Sequence, residues 1–206
     1  MKLFVVLIAF MGAYLGAQEV PKARYFIELG GGMQIGLGAL DGKTQLVVDA
    51  ADSTATEDSV IVSKLGSFPA YQVRVGAQID ASTIAVAMEN AAPQAWDEST
   101  QWWSLIVDYR YHLNYPQSIR PFVGANYGFV RWKVGAKGGD VLYNANGPGI
   151  EAGVSYHWGD WASTLLMRER YLPVRNLSTP ANSYSELDSY LHEFVSQINI
   201  SIQYLF

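Results

Sequence analysis

The 206-residue chain contains no cysteine. A disulfide framework and a thiolate metal site are therefore both excluded. Charge is also scarce, at 16% of residues, which is low for a water-soluble domain. Basic residues are outnumbered 14 to 19 by acidic ones, and an acidic chain is a poor match for a polyanion, so no nucleic-acid partner is expected. Histidine occurs only three times. His112 and His192 have no ligand partners by spacing, so no metal and no cofactor is expected. Aromatic residues, by contrast, make up 13%.

The N-terminus reads MKLFVVLIAFMGAYLGAQ. Lys2 precedes an apolar run that ends at Leu15 and is followed by the small residues Gly16 and Ala17. That run is short for a bilayer helix, and its order of basic, apolar and small residues is that of a secretory signal peptide cleaved near Ala17. The expected organisation is residues 1–17 as signal peptide and residues 18–206 as one domain. Without Lys2 the balance is 13 − 19 = −6.

The rest of the chain alternates. In FVSQINISIQYLF, the last thirteen residues, Phe194, Ile198, Ile200, Ile202, Tyr204 and Phe206 fall on one face, and Gln197, Asn199, Ser201 and Gln203 fall on the other. A period of two marks a strand with two different environments. The same pattern recurs at 25–40, 70–80, 83–89, 103–113, 122–130, 150–158 and 161–171, which makes eight strands with 194–206. Glycines in YFIELGGGMQIGLGAL (25–40) lack the spacing of a nucleotide loop, and no helical pattern follows them. They fit a crowded concave wall of a long strand.

Sorting charge by face gives the architecture. The apolar faces carry none until Glu169, whereas the opposite faces carry Glu28, Arg74, Glu89, Asp108, Arg110, Glu151, Arg168, Arg170 and Glu193. A soluble barrel would put the apolar face inside and the charge outside. The reverse arrangement needs lipid outside, and lipid tolerates no open sheet edge, because an unpaired amide there costs several kcal/mol. The expected fold is all-β, an eight-stranded antiparallel up-and-down transmembrane barrel in which the last strand seals against the first.

The connections are expected to alternate in length. Segments 80–83, 114–121 and 159–160 are short, and 41–66, 90–102, 131–149 and 173–189 are long. Aromatic girdles are expected at both rims: Tyr25, Tyr111, Trp158, Trp161, Tyr204 and Phe206 at the short turns, and Tyr71, Trp103, Trp132, Tyr171 and Tyr190 at the long loops. A two-residue turn at Gly159-Asp160 would put Glu151 opposite Arg168 inside the barrel. A turn at Ala81-Ser82 would put Arg74 opposite Glu89.

With these features the chain resembles the small eight-stranded outer-membrane barrels of the OmpA, OmpX and opacity-protein type, with the OmpW type as a neighbour. The resemblance rests on the leader, the eight alternations and the terminal Ile202, Tyr204 and Phe206. It implies an outer-membrane location in a Gram-negative-type bacterium, contact with outer-membrane lipid, and an assembly signal at Ile202, Tyr204 and Phe206 read by the barrel-assembly machinery. No peptidoglycan-binding segment follows strand eight, so no wall-anchoring role is expected.

Three functions compete. The first is a structural or adhesion role, with loop 41–66 touching an extracellular ligand. That loop carries Asp41, Asp49, Asp52, Glu57 and Asp58 against Lys43 and Lys64, and TQLVVDA and DSVIVSK in it are strand-like runs suited to a hairpin. The second is a narrow channel or lateral path for a small molecule. A wide pore is not expected, because eight strands leave an interior filled by side chains. The third is lipid hydrolysis through Ser155, His157 and Glu151, but parity turns all three away from a lipid substrate. The expectation is therefore a non-enzyme with a polar, largely plugged lumen.

Overall fold

The structure, a computed structural model, describes residues 23–36, 44–47, 58–61, 67–91, 94–95, 98–99, 101–134, 141–178, 183–184 and 192–206. Alternating residues form β1 (Arg24–Gly36), β2 (Ser67–Ile79), β3 (Ser82–Ala91), β4 (Gln101–His112), β5 (Ile119–Val134), β6 (Val141–Trp158), β7 (Trp161–Ser178) and β8 (His192–Leu205). Each pairs antiparallel with its neighbours in sequence. The ring closes where β8 pairs with β1 from Phe26↔Leu205 to Gly36↔Val195. Pairing continues past the last strand residue: Phe206 N–H donates to the Tyr25 carbonyl at 2.8 Å, and Tyr25 N–H to the Phe206 carbonyl at 3.1 Å. The barrel thus has no free edge, as a sheet in hydrocarbon requires.

The period-two pattern becomes two surfaces. Outside lies an apolar belt whose residues are far more exposed than water would allow a large hydrophobic surface to be, with Ile150 and Ile200 at 68% and 67%. Inside, every charge assigned to the inner face by parity is buried, from Glu28 on β1 to Glu193 on β8. No helix among the described residues is long and apolar enough to span a bilayer.

The strands overrun several expected ends. β5 runs to Val134, β6 begins at Val141 and β7 runs to Ser178, so 131–134, 141–149 and 173–178, within the segments expected as loops at 131–149 and 173–189, are strand. Their Gly and Pro content reads as breakers, yet each strand pairs on both sides, and that overrides local propensity. NANGPG (144–149) carries a register shift between Asn144 and Ala145. A side chain at Gly147 would run into the Tyr171 carbonyl oxygen, so glycine is what lets β6 and β7 approach there. Glu169 consequently lies well inside β7 rather than near a strand end, exposed on the outer wall, where the Ser196 hydroxyl donates to its carboxylate at 2.6 and 2.7 Å.

The tight connections are Asp80-Ala81 and Gly159-Asp160, and the third short one spans 113–118. The strand-like runs in loop 41–66 pair as a separate small hairpin, Thr44–Val47 with Asp58–Ile61. The leader at 1–17, the remainder of loop 41–66 and Tyr190 lie outside the described residues.

Candidate functional site

The buried charged side chains among the described residues gather in the lumen, which is built in three layers. The middle layer is ionic. Arg74 on β2 grips Asp108 on β4 with a two-pronged fork, Nε to Oδ2 at 2.9 Å and Nη2 to Oδ1 at 2.6 Å. Its remaining nitrogen, Nη1, donates to Glu28 on β1 at 2.6 Å. Arg110 reaches from β4 to Glu151 on β6 at 2.6 Å, and Arg168 on β7 reaches the other oxygen of Glu151 at 2.9 Å. Arg170 closes the chain on Glu89 of β3 at 2.9 Å. Weaker contacts knit these pairs together, Arg110 to Glu28 at 3.6 Å and Arg168 to Glu89 at 3.9 Å.

Four carboxylates thus face four guanidiniums, all fully or nearly fully buried. Burying an ion is costly unless it is paired and its other hydrogen-bonding capacity is met. Neutral donors help meet that need: the Ser201 hydroxyl serves Glu28 at 2.6 Å, Ser104 serves Glu89 at 2.8 Å, and the Gln197 amide serves Glu89 at 2.7 Å. Arg74 and Arg110 also lie over the rings of Phe26 and Phe122, at 4.8 and 4.9 Å from the centroids. These rings begin the short-turn layer, in which the His112 and His157 rings stand 6.2 Å apart.

The third layer closes the long-loop end and is not among the sequence expectations. Phe68, Trp102, Trp132 and Tyr143 form a row across the lumen with centroid separations of 5.7, 5.4 and 5.0 Å, Phe68 tilted against Trp102 and the other two pairs stacked. Leu172, Val174, Val195 and Val130 pack with them. Trp132 is expected in the outer girdle, and the structure corrects this: it is buried inside. Phe129 points outward, so continuing the alternation for three residues turns position 132 inward. Extending the parity of β4 and β5 past their expected ends would have revealed the layer.

The other girdle residues described, Tyr25, Tyr71, Trp103, Tyr111, Trp158, Trp161, Tyr171, Tyr204 and Phe206, are all on the outer wall. Some contact one another, as Trp161 does Tyr204 at 4.9 Å.

Two register expectations meet different outcomes. Glu151 stands opposite Arg168, and the two are hydrogen-bonded. Arg74, however, lies opposite Ala87, and Glu89 lies opposite Gln72. The β2–β3 turn uses Asp80-Ala81, with Asp80 in the left-handed region at φ 50°, instead of Ala81-Ser82. Both residues remain inside, but their partners come from elsewhere in the barrel. The hydrolase set does not assemble either. Ser155 shares a hydrogen bond with Thr164 at 2.8 Å, and both oxygens of Glu151 are taken by arginines.

No protein-family model matches the chain. No curated protein sequence matches it significantly. Solved structures do. Neisserial surface protein A superposes with a TM-score of 0.62 at 14% identity, covering 90% of this chain and 99% of that one. Ail, the attachment invasion locus protein of Yersinia pestis, gives 0.51 at 9% identity over 90% and 99%. The N-terminal β-barrel domain of Pseudomonas aeruginosa OprF gives 0.50 at 11% identity over 89% and 100%. At such low identity the likeness is one of architecture: the chain has the fold of the small eight-stranded outer-membrane barrels.

Proposed function

We propose that this chain is a non-enzymatic outer-membrane protein of a Gram-negative-type bacterium, freed of residues 1–17. In this reading it is a sealed barrel holding its long loops at the cell surface for contact with an extracellular partner. The observation that carries this is the double seal of the lumen, an ionic layer spanning Glu28 to Arg170 beneath the row of Phe68, Trp102, Trp132 and Tyr143. A barrel used for diffusion would not fill its bore twice. The girdle rings on the outer wall favour residence in a bilayer. The same fold serves a surface protein in Neisseria and an attachment invasion locus protein in Yersinia pestis.

Loop 41–66 is the proposed contact element. Its five acidic residues against two lysines would favour a basic partner. Among the described residues the channel reading has no open path to support it, and the unassembled Ser155, His157 and Glu151 set gives hydrolysis no machinery. The test is a planar-bilayer recording of the refolded barrel together with protease shaving of intact cells. Silence in the bilayer and cleavage within loop 41–66 would support the reading. A steady conductance, or protection of that loop in intact cells with cleavage only after lysis, would reject it.

A further inference from the structure

We propose that the outer wall across β4, β5 and β6, at the long-loop rim, is a binding site for the phosphorylated headgroup of an outer-leaflet lipid. Arg131 and Trp103 form its centre, and the hollow below them takes an acyl chain. The proposal rests on the reading that this rim faces the outer leaflet.

Two adjoining hollows make the site. The upper one, about 310 Å³, is lined by Gln101, Trp103, Arg131, Lys133 and Leu142. The lower one, about 370 Å³, shares Trp103 and Arg131 and continues down the wall between Met88, Leu105, Phe129 and Asn146. One is cationic and the other mostly apolar, in the order in which a phospholipid or phosphorylated glycolipid presents its headgroup and its chain.

The ladder accounts for this placement. Arg131 stands between Trp103 on β4 and Asn144 on β6, and Lys133 between Gln101 and Leu142. None of these cross-strand neighbours is acidic. Among the described residues no carboxylate bridges Arg131. One step down the same strands, the neighbours of Phe129 are Leu105 and Asn146. The Tyr127 hydroxyl donates to Asn146 Oδ1 at 2.7 Å, which leaves the Asn146 amide N–H groups to donate elsewhere.

An arginine on a lipid-facing wall is costly in hydrocarbon. It becomes favourable at the interface when a phosphate offers it charge-assisted hydrogen bonds. The contrast with the opposite rim is informative. There the exposed Arg24 already has a carboxylate, Asp160, at 2.5 Å. Arg24 ends the inner-face row of β1 that continues through Phe26 and Glu28, whereas Arg131 is on the outer wall and is left to be met from outside.

The experiment uses the refolded mature barrel in detergent and reads lipid binding by native mass spectrometry and titration calorimetry. The probes are diphosphoryl lipid A, its dephosphorylated analogue, and inorganic phosphate. Arg131→Gln is expected to weaken binding of the diphosphoryl lipid about tenfold. Arg24→Gln is the control and is expected to change nothing. Folding of each variant is checked by heat-modifiable migration, which an exposed substitution should leave intact.

Equal binding of the dephosphorylated lipid would overturn the proposal, as would undiminished binding by Arg131→Gln. Displacement of the lipid by an equal concentration of inorganic phosphate would assign the site to free phosphate and overturn the lipid as its occupant. Because the chain lacks cysteine, a Ser53→Cys variant labelled on intact cells reports separately which rim faces outward. Labelling failure there rejects the orientation while the binding data still decide the site.

Discussion

Glu151 stands directly across the β6–β7 ladder from Arg168, with Nε to Oε2 at 2.9 Å, and its second oxygen receives Arg110 from β4, across Gly124 of β5, at 2.6 Å. The carboxylate is therefore shared, and this shapes what charge reversal can do. Arg168→Met should lower the unfolding free energy by about 3–5 kcal/mol, because it strands a buried carboxylate with half its partners. In a simple pair, reversing both charges would restore stability. Here an arginine at position 151 would face Arg110, so Glu151→Arg with Arg168→Glu is expected to recover only part of the loss. Urea midpoints in lipid vesicles check this. Full recovery would mean that the Arg110 contact carries no energy.

The two seals act in series, which gives a distinctive conductance pattern. Trp102→Ala with Trp132→Ala removes the stacked layer but leaves the ionic one in place. Glu89→Ala with Arg170→Ala thins the ionic layer but leaves the rings. Each double variant is expected to stay silent in a planar bilayer, and the quadruple variant to conduct. Conductance in either double variant would show that the remaining layer does not span the bore.

Legibility in the sequence depends on distance along the chain. Each strand's two faces are legible because alternation is local, and so is the Glu151–Arg168 register, set by the two-residue turn between Trp158 and Trp161. The β2–β3 register differs from expectation because Asp80 adopts a left-handed conformation that its sequence does not demand. Glu89 and Arg170 are 81 residues apart on strands that do not pair, and they meet only because the barrel closes. That contact depends on the stagger of eight strands, which no local pattern carries. The Trp102–Trp132–Tyr143 stack is hidden for a simpler reason: Gly and Pro residues signal the end of strands that pairing on both sides prolongs.

Gly31 and Gly32 are adjacent in sequence, and the barrel treats them oppositely. A Cβ on Gly32 would run into the Ile198 carbonyl oxygen across the closing β1–β8 seam, whereas one on Gly31 would meet Tyr71 at an ordinary 3.5 Å. Gly32→Ala should therefore spread the seam and cost about 1–3 kcal/mol, as overpacking typically does. Gly31→Ala should be nearly neutral and retain the heat-modifiable form at higher temperature. Equal melting of the two variants would show that the seam relaxes freely.

The backbone and the ring of Phe206 make different contacts, and substitution can divide them. The Phe206 backbone makes both hydrogen bonds with Tyr25, while its ring is 66% exposed and stands 6.4 Å from the Tyr25 and Tyr204 rings. Phe206→Ala keeps the backbone pair and loses only the ring. Refolded in vitro, it should cost little, because the ring faces lipid and has few protein neighbours to lose. Deleting Phe206 also frees the Tyr25 amide and carbonyl at the closing seam, where an unmet backbone group is expensive, so it should destabilise the refolded barrel more. Inside the cell the order should change. If the terminal aromatic is the assembly signal that the family resemblance implies, both variants should reach the outer membrane poorly and to a similar extent, despite their different stabilities. Quantifying surface-exposed barrel beside in vitro melting separates the two effects. Normal surface levels for Phe206→Ala would remove the ring from the assembly signal and leave Phe206 a purely structural closing residue.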